Sequence, residues 1–208
     1  MDAEALKRLP PRERFHAVST DPDVNRFYPE SFGAAIRDEV LATRPRTMVH
    51  FGVHRGYTAI VSALAMEEVG TGQVRAYDWW EDGKRDGFDE ARNAKGHFDR
   101  YGVSERIVLE DLDFFEWLRH PEPCDLLYLD IDNDGAKVEA MWNALRPQIG
   151  RGLRILFEGG SDARDRHVSM AGRQPIATTR ALTGYRILVD EFPSLSMIAA
   201  VPQTFEPR

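Results

Sequence analysis

Residues 47–78 read TMVHFGVHRGYTAIVSALAMEEVGTGQVRAYD, and this stretch decides the fold class. A largely apolar run, Thr47–Phe51, has the length of a strand and breaks at a Gly-x3-Gly loop, Gly52 to Gly56. Tyr57–Val69 follows with Ile60, Ala63 and Leu64 on one helical face, and Gly70 closes it. Gln73–Tyr77 is a second strand ending at Asp78. Strand, glycine loop, helix and strand in that order belong to a parallel sheet covered by helices.

Working outward, the alternation continues. Phe88–Tyr101 is helical and stops at Gly102, and Arg106–Leu109 is a third strand. Phe114, Trp117 and Leu118 mark a short helix, and Asp125–Leu129 is a buried strand between Pro123 and an acidic loop. Gly135–Ile149 carries Val138, Met141, Trp142 and Leu145 at i, i+3, i+4, i+7 spacing, the mark of a half-buried helix. Leu153–Phe157 is a fifth strand. The tail changes character: Tyr185–Val189 and Leu195–Val201 are separated only by residues 190–194, too few for a crossover helix. That pair must form an antiparallel hairpin. Upstream, a helix starts at Pro29-Glu30, presents Phe32, Ile36, Val40 and Leu41 on one face, and stops before Pro45. Residues 1–28 read as an irregular or partly helical arm, cut by Pro10-Pro11 and by Asp21-Pro22-Asp23. The expected division is a helical arm over 1–45, with Phe27 and Tyr28 placed to act as a lid, and one α/β domain over 46–208.

Composition narrows the classes of partner. The 208 residues carry a net charge of −7, which speaks against a surface built to follow phosphate backbones, so no nucleic-acid partner is expected. The longest apolar run, near Ala59–Ala65, is far too short to span a bilayer, so no membrane partner is expected either. A single cysteine, Cys124, makes no intramolecular disulfide and no zinc cluster. With no apolar leader-like run near the start, a cytoplasmic location is the expectation.

In open α/β sheets ligands bind beyond the carboxyl ends of the strands. Here those ends carry Gly52–Gly56, then Asp78-Trp79-Trp80-Glu81-Asp82-Gly83, Glu110-Asp111, Asp130-Ile131-Asp132-Asn133-Asp134 and Glu158-Gly159-Gly160-Ser161-Asp162. The first loop lacks both the G-x-G-x-x-G of dinucleotide binders and the Gly-Lys-Ser/Thr of a P-loop. Its glycines either let a ligand approach a helix N-terminus or merely shape a turn. Asp78 either accepts from ribose hydroxyls or ends its strand as a turn former. Trp79 covers a purine face or fills core. Three Asp within residues 130–134, after an apolar strand, place like charges at one mouth, which costs stability unless a cation, substrate or proton is managed there.

Together these positions resemble the class I S-adenosylmethionine-dependent methyltransferases over roughly residues 45–203. The resemblance implies a Rossmann-like doubly wound sheet of seven strands, order 3-2-1-4-5-7-6, with the last strand antiparallel. It implies that Phe51, Gly52, Val53, His54 and Gly56 hold the methionine part of the cofactor, Asp78 the ribose beside Trp79, and Asp111 with Leu112 the adenine. Asp130 would lie near the methyl sulfonium. Within that superfamily the segment Tyr77-Asp78-Trp79-Trp80-Glu81-Asp82-Gly83 is similar to that of macrocin-type O-methyltransferases, which modify sugar hydroxyls of natural products and often use a divalent metal. Their Asp-x-Asp after the fourth strand is matched by Asp130 and Asp132, the second being the expected general base. Asp130 and His54 are the other candidates for catalysis, with His167 a further runner-up for the base. Their Asp-Asp-Tyr after the fifth strand is replaced by Glu158-Gly159-Gly160. Magnesium use therefore stays open, with Asp130, Asp134 and Glu158 as candidate ligands. The predicted reaction is O-methylation of a small-molecule acceptor such as a sugar or natural-product intermediate; homo-oligomerisation is left open. Two other readings compete: a non-catalytic or regulatory S-adenosylmethionine-binding protein of the same fold, and a nucleotide-dependent oxidoreductase, disfavoured by the missing G-x-G-x-x-G. Arg164 and Arg166 either recognise a carboxylate or phosphate of the acceptor or form a solvated helix face with no function.

Overall fold

The computed structural model describes residues 2–78, 90–131, 134–175 and 184–200. Seven strands form one sheet in the order β3-β2-β1-β4-β5-β7-β6. They are β1 Thr47–Phe51, β2 Gln73–Asp78, β3 Ile107–Asp111, β4 Leu126–Leu129, β5 Arg154–Glu158, β6 Tyr185–Val189 and β7 Leu195–Ile198. β1 pairs parallel with β2 and β4, β2 with β3, and β4 with β5; β7 runs antiparallel between β5 and β6. The order and the terminal hairpin match the sequence-based expectation. Four carboxyl ends of strands differ from it, and among them β5 runs through Glu158 rather than ending at Phe157. β2 and β3 stay paired through Asp78↔Asp111, so these carboxylates are the last rungs of the ladder rather than the first loop residues. β7 stops at Ile198, and Val201 lies outside the described residues.

The helices are α1 Ala3–Lys7, α2 Pro11–Ser19, α3 Glu30–Thr43, α4 Tyr57–Val69, α5 Glu90–Arg100, α6 Phe114–Arg119, α7 Gly135–Ile149 and the single turn α8 Asp162–Asp165. Strand alternation sends Met48 and His50 to one face of the sheet and Val49 and Phe51 to the other. The first face packs against Ile60 and Leu64 of α4 and Ile36 and Val40 of α3. The second packs against Phe114 and Trp117 of α6 and Val138, Met141 and Leu145 of α7.

α4 departs from the one-sided burial expected of it. Every residue from Tyr57 to Met66 is buried, because α2 and α3 cover the side that the sheet leaves open. Its lack of charge before Glu67 suits a helix covered all round. Leu6, Phe15, Val18, Val24 and Phe32 of the N-terminal stretch join the same core as α4 and the sheet. Arg14 ties this layer down, donating to the carbonyls of Tyr101 (2.8 Å) and Leu9 (3.0 Å) and pairing with Glu67.

Candidate active site at the carboxyl edge of the sheet

The loop from Gly52 to Gly56 is built against the end of β4. Gly52 has φ +85°, and a Cβ there would lie 1.9 Å from the carbonyl oxygen of Asp130. Gly56 caps α4 at φ +89°, and a Cβ there would meet the Phe98 ring at 2.5 Å. Both glycines are thus required by close approach within the protein itself, and Gly52 seats the loop on the backbone of Asp130. His54, between them, has a left-handed φ of 46°. The carboxylate of Asp78 accepts from the backbone N–H of Val53 (2.8 Å) and of His54 (3.1 Å), so strand 2 holds the loop after strand 1. Asp111 stands beside Asp78 in register and is exposed, and the N–H of Leu112 donates to the carbonyl of Asp78 at 3.2 Å. Phe51, Val53, Asp78, Asp111 and Leu112 therefore gather around the ends of β1, β2 and β3. Trp79 lies outside the described residues.

The ends of β4 and β5 carry a different chemistry. Asp130 accepts a hydrogen bond from the Tyr28 hydroxyl, which reaches it from the N-terminal stretch. Glu158 is buried and faces Asp130, and Arg164 of α8 pairs with it through Nε at 2.9 Å. Burial first, then the neighbouring Glu158 carboxylate, pushes the Asp130 pKa well above the usual carboxylate range; Tyr28 and Arg164 pull the other way. Burial likewise raises the phenols of Tyr28 and Tyr128, with Asp130 and Glu158 adding to it. Behind Tyr128 lies His50, whose ring stacks on it at 4.2 Å and whose nitrogens have no hydrogen-bond partner among the described residues. Burial pushes the His50 imidazole down to about 3.

The remaining candidates fall as follows. Asp132 lies outside the described residues. Asp134 caps α7, accepting from the N–H of Ala136 at 2.8 Å. His54 is exposed, with its ring 6.3 Å from that of Phe27. His167 stacks on Phe192 of the β6–β7 turn at 4.2 Å. Arg164 is bound to Glu158 rather than offered to an acceptor anion, a correction to the sequence-based expectation, because the buried carboxylate needs its charge compensated. Among the described residues no three His, Cys, Asp or Glu side chains converge on one point; of the candidate magnesium ligands, Asp130 and Glu158 face each other and Asp134 is engaged as the cap of α7. The sequence pointed to Asp130 and Glu158 but gave no sign that Tyr28 and Tyr128 join them. For Tyr128 the one signal was a phenol inside an apolar strand, Leu126-Leu127-Tyr128-Leu129, and for Tyr28 it was the expectation of a lid over the site.

A methyltransferase-domain family model matches residues 49–158, more than half of the chain. The chain belongs to this methyltransferase family. Its sheet order is that of the class I, S-adenosylmethionine-dependent methyltransferases. Among solved structures, this methyltransferase is similar to cofactor-bound Rv0187 from MTB, at 17% identity and TM-score 0.63, over 93% of this chain and 91% of that one. It is also similar to an O-methyltransferase from Bacillus cereus in complex with SAH, at 14% identity and TM-score 0.59, over 91% and 90% of the two chains. A third is TomG from Streptomyces achromogenes, an O-methyltransferase involved in tomaymycin synthesis, in complex with SAM, at 14% identity and TM-score 0.57, over 96% and 89%. At such identities the likeness is one of fold. No curated protein matches the chain significantly. Among the described residues, no helix of this methyltransferase is long and apolar enough to cross a membrane.

Proposed function

We propose that the chain is an O-methyltransferase that binds S-adenosylmethionine across the ends of β1, β2 and β3 and methylates a hydroxyl of a small molecule. The observation that carries this reading is the meeting, at one sheet edge, of the Gly52–Gly56 loop with Asp78 and Asp111 side by side. The donor set suits a nucleoside. A carboxylate accepts up to about four hydrogen bonds, so Asp78 can hold the loop and also take ribose hydroxyls. Asp111, with Leu112, would meet an exocyclic amine, and Trp79, outside the described residues, would cover the purine face. Phe51, Gly52, Val53, His54 and Gly56 would hold the methionine part, with Asp130 toward the sulfonium.

When bound, the cofactor supplies an electrophilic methyl group. The chain's residues supply alignment and proton removal. Asp132, between β4 and α7 in sequence, is the proposed base; it would take the hydroxyl proton as the acceptor oxygen takes the methyl group, whose bond to sulfur breaks and leaves the thioether. Asp130 is engaged by the Tyr28 hydroxyl and faces Glu158, so it is assigned to orientation of the cofactor and Asp132 to proton removal. Two of the named proteins of similar fold are O-methyltransferases, one of them involved in tomaymycin synthesis, which favours a hydroxylated small molecule.

Calorimetric titration of S-adenosylmethionine and S-adenosylhomocysteine into the protein, with and without magnesium, tests the cofactor. Both should bind, with Asp78→Ala weakening each by roughly tenfold or more through loss of charged hydrogen bonds. Binding of neither ligand sinks the reading. Release of S-adenosylhomocysteine with hydroxylated acceptors should vanish in Asp132→Asn while cofactor binding stays intact; normal turnover in that variant removes Asp132 as the base.

A further inference from the structure

Tyr28 is fixed on every side before its hydroxyl meets Asp130. The side-chain amide of Asn25 clamps its backbone from both directions, donating to the Tyr28 carbonyl at 2.9 Å and accepting from the Tyr28 N–H at 3.0 Å. The same amide donates to the carbonyl of Ser19 at 2.9 Å, which anchors the turn to the end of α2. The ring packs against Phe32 (4.5 Å) and stacks on Tyr57 (5.7 Å). Position and direction are therefore set by neighbours that have no contact with Asp130 of their own in these bonds, and the hydroxyl is the one polar atom the side chain can offer. The stretch that carries Tyr28 is tied across the carboxyl edge at both ends. Arg55 of the glycine loop donates to the Asp23 carbonyl at 2.7 Å, and Ser31 donates to Glu191 of the β6–β7 turn at 2.9 Å.

We propose that Tyr28 is a positioning residue which holds the Asp130 carboxylate toward the sulfonium of bound S-adenosylmethionine. The inference rests on the cofactor reading above. Glu158 has its charge met by Arg164, so the carboxylate whose direction Tyr28 sets is Asp130. A phenol donor favours the ionised form of the carboxylate it touches, and a sulfonium cation beside it does the same, both against the burial and the Glu158 charge that raise Asp130. An oriented carboxylate attracts a sulfonium cation and does little for the neutral thioether left after methyl transfer. Tyr28 thus acts on the difference between the two forms of the cofactor, and a residue that merely braced the fold would act on both alike.

The test uses the full chain and compares its affinities for S-adenosylmethionine and S-adenosylhomocysteine by calorimetry. Tyr28→Phe keeps the ring in its packing and removes only the hydroxyl. It should weaken S-adenosylmethionine by roughly tenfold or more, the size of one charged hydrogen bond, and leave S-adenosylhomocysteine within about twofold. Asp130→Asn should give the same pattern, and the double variant should be no weaker than Asp130→Asn alone, since the two residues act through one contact. Should Tyr28→Phe fail to fold, Asn25→Ala releases the backbone clamp with the phenol intact, and a smaller loss confined to S-adenosylmethionine is expected. Equal losses for both ligands, or no change for either, overturn the positioning role while leaving the cofactor reading in place. A wild-type protein that binds neither ligand overturns the cofactor reading itself, and this inference with it.

Discussion

Asp78 and Asp111 end β2 and β3 at an open edge, one gathering backbone N–H groups of the glycine loop and the other exposed to water. Asp130 and Glu158 end β4 and β5 within the same sheet, yet they face each other between Tyr28, Tyr128 and Arg164. The residue type is the same and the register is similar. What differs is cover: α8, the β6–β7 turn and the N-terminal stretch close over the second pair, whereas in the described residues the first pair lies at the rim. Coulomb interactions and desolvation both grow as water is removed, so Asp130 carries a raised pKa and the covered pair requires partners. The first half of the edge is suited to hydrogen-bonding a polar ligand, the second to managing charge.

Breaking the covered half should have the largest effect. Arg164→Met leaves Glu158 buried without its cation and should lower stability by about 3–5 kcal/mol in urea denaturation. A loss under about 1 kcal/mol would mean that water reaches Glu158 and that the contrast between the halves is one of geometry alone. Joining the halves is Gly52, whose added Cβ would strike the Asp130 carbonyl at φ +85°. Gly52→Ala should cost about 2–4 kcal/mol from left-handed backbone strain and overlap. Full stability in that variant would show that the loop moves away from β4 without penalty.

The smallest effect sharpens the comparison through pH. His50 titrates near 3 in the fold and near 6.5 when unfolded, so between those values the unfolded state binds more protons. Its contribution is whole above about pH 6.5 and is lost as pH falls toward 3. Between pH 7 and pH 5 the wild type should lose about 2 kcal/mol that His50→Phe keeps. Parallel pH curves for the two proteins would place the imidazole in contact with water. Asp130 has the opposite sign: a raised carboxylate loses stability as pH climbs past its unfolded value, so Asp130→Asn should flatten the neutral side of the same curve.

Much of this molecule was legible in the order of residues. The five parallel strands and the hairpin follow from periodicity and from a five-residue link, since chain connectivity and strand pitch leave few ways to arrange them. Gly135–Ile149 and Tyr57–Val69 match the helices to the residue, because Asp134, Gly56 and Gly70 mark their ends. The placement of carboxylates at strand ends was equally plain, as position along the chain fixes which residue follows a strand. Which of those carboxylates is covered was not. α4 looked one-sided until α2 and α3 were seen to lie over it, and Arg164 looked available until Glu158 was seen to claim it. The Tyr28–Asp130 contact joins residues 102 apart in sequence, and no local pattern encodes it. Local chain chemistry determined the strands, turns and strand-end residues of this methyltransferase. Only tertiary packing decided which of them lose their water, and loss of water is what turns a surface carboxylate into a charge that the protein must hold in place.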